Sequence, residues 1–313
     1  MAEIHTERWG ILYCPKQGLT RPQKRWEKIE RCLRENNIEY DFIQSENVKG
    51  VPRLVNMLVN NGYRTIIIVG GDSALNDAIN CIMEFDKTVR ESIALGVIPN
   101  GILNDFARYW GYKENEIEQT VKWLKDRRIR KIDLGCLSYT DKEGKDCRRY
   151  FLNCVNIGFI ASVMNLKQQA RSVLGSRKLS FLVSLVLLIF QRMEYRMQLK
   201  INNDTLKRKV MTMCIGNASG YGQTPSAVPY NGLLDVSVVC HPGLTQLFEA
   251  FCLLITGKFL NHRSVLPYRT RDVEIIDSNN ALVGVDGRLV SQPVGKFSVA
   301  VRQEVVNFII PGK

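Results

Sequence analysis

Residues 66–80 read IIIVGGDSALNDAIN, and this stretch decides the fold. Four β-branched apolar residues in a row suit a strand buried on both faces, the pattern of a parallel sheet. Two glycines and an acid follow, and then a run that reads as a helix. Glycine after a buried strand permits positive φ and close backbone approach. The helix start beyond it carries partial positive charge, which favours an anion. Asp72 is the odd member, because a carboxylate repels phosphate unless it holds a metal, a ribose or a proton. Taken alone, the junction is equally an ordinary strand–turn–helix with an acidic cap.

Outward from this junction, short apolar runs alternate with amphipathic stretches. Residues 8–15 (RWGILYCP) read as a strand, 22–36 as a charged helix, 38–42 as a second strand and 51–61 as a helix. After the quoted stretch come a strand at 92–99 (SIALGVIP) and a helix around 116–127. This order predicts a Rossmann-like, doubly wound parallel sheet with helices on both faces. A second junction, PNGILNDFAR at 99–108, again places Pro and Gly before a helix that begins with Asn and Asp. In a doubly wound sheet the loops after successive strands converge on one crevice. Residues 15–20, 70–76 and 99–105 are those loops, and together they read as a nucleotide crevice.

From Lys131 the texture changes. Residues 131–140, 148–159, 195–202, 207–217, 233–240, 272–277 and 296–310 read as strands joined by turns, with helical segments near 178–192 and 244–256. The expectation is a nucleotide-binding α/β domain over residues 1–131 and a mainly antiparallel β-sandwich over 132–313. The last strand, before Pro311, is one that could return to the first domain.

At 313 residues and 45% hydrophobic content the chain can build a real core, and length favours two domains. A formal charge of +12 favours anionic partners: nucleic acid, a phosphorylated ligand or an anionic membrane surface. Nine cysteines lack C-x-x-C spacing and only three histidines accompany them, which speaks against a zinc site and for buried thiols in a reducing cytosol. Nucleic acid is not expected, since no RNP, zinc-finger or helix-turn-helix signature appears and the four tryptophans are not interleaved with bases.

The motif pairs GGD-x-x-LND and P-x-G-x-x-NDFAR resemble the catalytic domain of the diacylglycerol kinase family, lipid kinases related to sphingosine kinases and distantly to NAD kinases. FLNCVNIGF, YNGLLDVSVV and VDGRLV resemble further family blocks, in family order, so the likeness spans nearly the whole chain. The resemblance implies ATP-dependent phosphorylation of a lipid hydroxyl, with Mg2+ on the nucleotide. It places Gly70, Gly71, Asp72, Asn76, Gly101, Asn104 and Asp105 at the nucleotide, where this chain's own Ser73 and Lys16 offer a hydroxyl and a charge, and Asp72 and Asp286 in catalysis. It makes Asp286 the general base on the lipid hydroxyl, although Asp286-Gly287 is also a good hairpin turn. Asp235 aligns with an acid linked to structural magnesium in some members.

Five departures cluster on these motifs. Ser73-Ala74 stands where the family has Gly-Thr, Ile102 where it has Thr, Asn231 for an Asp, and Arg288 for a Glu; the first loop reads Cys14-Pro15-Lys16-Gln17-Gly18 in place of an Asn-Pro start with a Ser-Gly pair. Two lost hydroxyls remove two phosphate donors, each worth about 1.5–3 kcal/mol to a charged acceptor. Asn231 removes one negative ligand from the candidate metal site. Arg288 inverts the charge beside the proposed base, or offers a partner for a substrate phosphate. These changes leave open a catalytically lapsed relative that binds nucleotide or lipid as a regulator.

Residues 178–192 form an apolar run bracketed by bases, which reads either as a lipid-facing helix or as one packed on the sandwich. Its apolar centre, residues 181–190, is about half of the roughly 20 residues a membrane span needs. The basic run at 122–131 adds electrostatic attraction to an anionic surface. The expected partners are therefore a lipid substrate and an anionic membrane surface, in a cytoplasmic, peripherally membrane-associated protein; a homodimer is compatible with the sequence.

Overall fold

The computed structural model describes residues 5–15, 22–46, 50–101, 103–165, 194–240 and 256–312, with Gly243, Gln246, Glu249 and Leu253. The chain divides into two compact units: Met1–Asp133 with Gln303–Lys313, and Leu134–Arg302.

In the first unit, β1 (His5–Tyr13), β2 (Tyr40–Gln44), β3 (Tyr63–Gly70) and β4 (Ala94–Pro99) form a parallel sheet in the order β2-β1-β3-β4. All six residues of β4 and residues 65–70 of β3 are buried, as their unbroken apolar runs require. Among the described residues six helices accompany the strands: α1 (Pro22–Glu35), α2 (Val51–Asn60), α3 (Asp72–Ile82), α4 (Lys87–Ser92), α5 (Asp105–Tyr109) and α6 (Ile117–Asp126). Gly10 aligns with Ile66 and Leu95, and Gly96 with Ile67, so these two glycines face opposite sides of the sheet. Leu58 of α2 packs over Gly10, while Leu124 of α6 packs over Gly96. Helices therefore cover both faces, and the sheet is doubly wound. The second strand begins at Tyr40, two residues later than its pattern suggests. Asn37 turns through φ +52° and the Ile38 amide still bonds to the Leu33 carbonyl, so residue 38 closes α1.

The chain end completes this unit. Asn307 and Phe308 pair in parallel with Ala94 and Leu95 of β4. Phe308 is fully buried, edge-on to Phe106 with ring centroids 5.3 Å apart. The Tyr112 hydroxyl donates to the Ile309 carbonyl at 2.9 Å, and buried Asp133 accepts from the Glu304 amide at 2.9 Å.

The second unit is a sandwich of antiparallel sheets. Its strands are β5 (Ile129–Thr140), β6 (Asp146–Phe151), β7 (Cys154–Gly158), β8 (Tyr195–Ile201), β9 (Asp204–Val210), β10 (Thr212–Gly216), β11 (Leu234–Val239), β12 (Val265–Thr270), β13 (Asp272–Asp277), β14 (Val283–Val285), β15 (Arg288–Leu289) and β16 (Val294–Ile309). One sheet runs β12-β11-β10-β7-β14-β15; the other holds β16-β13-β8-β9, with β5 and β6 as a hairpin. Alternate side chains of both, among them Ile157, Ile215, Val236, Leu199, Ile275 and Phe297, meet in a single core. Two runs that read as single strands are each two. Residues 148–159 break at Leu152-Asn153, and 207–217 break at Met211, where the chain passes from one sheet to the other. Periodicity continues through both breaks because each flanking segment still alternates.

Among the described residues no helix is long and apolar enough to cross a membrane. The run at 178–192 lies outside the described residues, and of the 244–256 segment Gln246, Glu249 and Leu253 are helical.

Candidate functional site

The first unit brings three strand ends together. The Asn100 backbone amide donates to the Gly70 carbonyl at 2.9 Å, and its side-chain Nδ2 donates to the Cys14 carbonyl at 3.1 Å, so one residue laces the ends of β1, β3 and β4. Between the two junctions the backbones touch. A Cβ on Gly101 would stand 2.5 Å from the Gly71 Cα and 2.5 Å from Asn104 Oδ1; one on Gly71 would stand 2.8 Å from the Gly101 Cα. Those distances exclude any side chain, so both glycines are fixed first by contact between the loops.

Asp72 resolves the oddity of an acid at an anion-favouring helix start. Its Oδ2 accepts from the Asp105 amide and its Oδ1 from the Phe106 amide, each at 3.0 Å. The carboxylate thus caps α5 from the other junction, where the residue preceding α5, Asn104, is left-handed at φ +52° and makes no side-chain cap of its own. Asn104 instead closes its loop, accepting from the Gly101 amide at 2.7 Å and donating to the Gly101 carbonyl at 3.2 Å. With Asp72 so engaged, α3 opens on Gly71 and has no side-chain cap, which suits its first amides to an anionic ligand.

The remaining predicted residues fall close by, with different surroundings. Asn76 is buried, and its carbonyl and Oδ1 both accept from Asn80 Nδ2. Asp105 pairs with Arg108 on the first turns of α5. Ser73 is half-buried and Ala74 buried, with the Ala74 Cβ 2.9 Å from where a Gly70 Cβ would be. Lys16 and Ile102 lie outside the described residues. Spacing gave no reason to single out Arg25, which donates to the carbonyls of Pro99 (3.0 Å) and Glu114 (2.5 Å), and whose guanidinium is held below its ordinary pKa by burial. Burial, aided by the Asp77 carboxylate, pushes the Cys14 thiol up to about 12.

In the second unit the motif residues meet at one end of the β7–β10–β14 sheet. Asp286 is 3% exposed and sits at φ +44° in the turn between β14 and β15. Its Oδ2 accepts from the Leu152 amide at 2.8 Å, and its Oδ1 from Asn153 and Cys154 at 3.0 and 2.9 Å. Its own amide donates to the Cys154 carbonyl at 3.0 Å. Those bonds are why the 148–159 run breaks where it does. Arg288 is half-buried on β15, opposite Val285.

Two neighbours of Asp286 were not evident from sequence. Asn153 is fully buried, its amide bonded to Asp286 and its carbonyl accepting from the Asn217 and Ala218 amides, yet neither atom of its carboxamide has a partner among the described residues. Tyr221 stands at φ +56° between Gly220 (+54°) and Gly222 (+87°), a costly conformation for a bulky residue. Its hydroxyl is 3.5 Å from where a Cβ on Gly287 would be. Behind them, the free Cys154 thiol is raised well above its ordinary pKa by its hydrogen bond with the Cys214 thiol and by burial.

Asp235 lies two strands from Cys154 in the same cross-strand row of this sheet, 5% exposed in β11. Arg269, directly opposite on β12, grips it with Nε to Oδ1 at 2.6 Å and a terminal nitrogen to Oδ2 at 3.0 Å. The Ser226 hydroxyl adds a third bond at 2.6 Å. Asn231 Oδ1 accepts from the Leu233 amide at 2.9 Å and so closes its own turn. This donor set does not fit a structural magnesium: one carboxylate carries a guanidinium already, and the second ligand position is neutral and engaged. No group of three or more metal-ligating side chains occurs among the described residues.

An α/β unit with laced glycine junctions, joined to an antiparallel sandwich with a buried turn acid, defines a two-domain kinase fold. Residues 8–137 match the diacylglycerol kinase catalytic domain, and residues 153–307 match the YegS C-terminal NAD kinase beta sandwich-like domain. The chain belongs to the diacylglycerol kinase catalytic domain family. It is 22% identical over 294 residues to a Bacillus subtilis (strain 168) protein described as a candidate lipid kinase, YtlR, covering 90% of this chain and 93% of that one. It is 21% identical over 296 residues to a diacylglycerol kinase of Staphylococcus saprophyticus subsp. saprophyticus, covering 93% and 92%. Its fold is that of a crystal structure of a diacylglycerol kinase from Bacillus anthracis str. Sterne, with a TM-score of 0.67, 15% identity and 97% of each chain covered.

Proposed function

We propose that this member of the lipid kinase family transfers the γ-phosphoryl group of ATP to a lipid hydroxyl at an anionic membrane surface. The observation that carries the reading is the matched pair of corners: uncapped α3 amides between touching glycine loops, and an acid fixed in the β14–β15 turn. Phosphoryl transfer needs positioning and charge stabilisation more than covalent help. In this reading the first unit binds the nucleotide through the amides after Gly71, with the chain from Gly101 to Asp105 as the opposite wall. A divalent cation arriving with the nucleotide supplies charge neutralisation at its phosphates. The second unit presents the acceptor: Asp286 takes the proton of the lipid hydroxyl, and the Asn153 carboxamide, without a partner among the described residues, binds acceptor oxygen.

One observation favours a second reading, a regulator that binds nucleotide or lipid without turnover. Both Asp286 oxygens already accept backbone bonds, and the phosphate-binding hydroxyls of the family pattern are missing at Ala74 and Ile102.

The test is transfer of label from γ-labelled ATP with magnesium to diacylglycerols, sphingoid bases and ceramides in anionic vesicles. The expected result is labelled lipid, reduced about 10²–10⁴-fold by Asp286→Ala. ATP binding with no labelled lipid across the panel would overturn the kinase reading and favour the regulator. Installing Gly-Thr at 73–74 and Glu at 288 should then revive transfer.

A further inference from the structure

Asp235 poses a charge problem that the chain solves without metal. A carboxylate in the interior of a sandwich sheet must be paired or neutralised, by a bound cation or by a basic side chain. Here the strand register does it. Asp235 and Arg269 are directly opposite residues of β11 and β12, the latter at the end of its sheet. The guanidinium meets both carboxylate oxygens side-on, in the two-pronged geometry that fits a planar fork to a planar acid. The bond to Asp235 is also what holds the Arg269 guanidinium above its ordinary pKa. Ser226 fills a further acceptor position, and the Arg269 terminal nitrogen continues to the Ser226 carbonyl at 3.3 Å. The residue four before Asp235 is Asn231, neutral and locked in its own turn. Charge, geometry and donor count therefore point the same way.

We infer that Arg269 is a built-in counter-ion that takes the place of a divalent cation at Asp235, so that the sandwich unit holds its β11–β12 edge without bound metal. The inference does not rest on catalysis and stands whether or not the protein turns over ATP. A cation carried by the nucleotide is a separate matter, so the test omits nucleotide.

The measurement is thermal unfolding of the full chain with EDTA and with millimolar Mg2+, Mn2+ or Ca2+ at matched ionic strength. The wild-type Tm is expected to be the same in all of them. Arg269→Ala should lower Tm by about 2–4 °C, with no recovery on adding cation. Adding Asn231→Asp to Arg269→Ala restores two acids to an open position, and Mg2+ or Mn2+ should then recover most of the loss. Should Arg269→Ala fail to fold, Arg269→Lys keeps the charge without the fork and should show a smaller fall, again independent of cation. A wild-type Tm that drops on chelation and returns with Mg2+ would overturn the inference. So would an Arg269→Ala protein as stable as wild type, or a double variant that no cation rescues.

Discussion

The two motif acids, Asp72 and Asp286, do similar local work in different settings. Each carboxylate accepts backbone amides from a segment remote in sequence: 105–106 for Asp72, and 152–154 for Asp286. Asp72 is half-buried and lies in the first turn of a regular helix, where no strain is needed. Asp286 is buried, left-handed at φ +44°, and followed by Gly287 at φ +80°. The glycines differ in the same way. Gly71 and Gly101 are glycine because another backbone occupies the Cβ position, whereas the nearest atom to a Gly287 Cβ is 3.5 Å away and only the dihedral forbids a side chain. One corner is set by crowding between loops and the other by backbone strain. An acid beside a glycine in a kinase motif therefore need not meet the ligand through its carboxylate.

The largest effect should come from Asp286→Asn, which keeps the volume but leaves one oxygen for three amides. Losing charge-assisted bonds and stranding at least one buried amide should cost about 3–5 kcal/mol, read by urea unfolding. A loss under about 1 kcal/mol would mean that the three bonds are not what holds the corner.

Gly101→Ala should cost about 2–3 kcal/mol, because neither the Gly71 backbone nor the Asn104 carboxamide can yield easily. Gly287→Ala is its control, since it meets no clash and should cost only about 1 kcal/mol through the dihedral. Equal losses in the pair would erase the distinction between crowding and strain.

Asp72→Ala removes a two-bond helix cap and should cost about 1–2 kcal/mol, with hydrogen exchange quickening at the Asp105 and Phe106 amides above all. Protection unchanged at those two amides would return Asp72 to a ligand-facing role.

The last effect is confined to alkaline pH and vanishes near neutrality. The Cys14 thiol holds its proton up to about 12 in the folded chain against an ordinary 9.0. The folded form thus binds that proton more tightly than the unfolded one. Its contribution to stability is complete below about pH 9 and lost as pH rises towards 12. Cys14→Ala should flatten the stability profile in that window, and iodoacetamide should label Cys14 far more slowly than a free thiol at pH 8.

Much of the first unit was legible before the structure. Residues 66–69 and 94–98 are continuous apolar runs because both faces of a parallel strand are covered, and the Gly, Asn and Asp at each run's end mark where the chain must turn. The ordered blocks GGD, NDFAR and GLLDV carried the family across the whole length. Less was readable in the sandwich. The breaks at Leu152-Asn153 and Met211 leave the alternation intact, because at each the chain changes sheet, the first held besides by a carboxylate more than 130 residues away. Nothing in SVLPYRT marks Arg269 as the partner of Asp235, since strand register alone sets them opposite each other.

The sequence by itself therefore determined the two-domain architecture, the family and the positions where turns and acids must fall, because periodicity, glycine and motif order are local properties. Only the tertiary structure decided what each acid does. Asp72 caps a distant helix, Asp286 anchors a strand break, and Asp235 is held by an arginine from the next strand, because a carboxylate's role is fixed by donors that the fold, not the neighbouring sequence, brings to it.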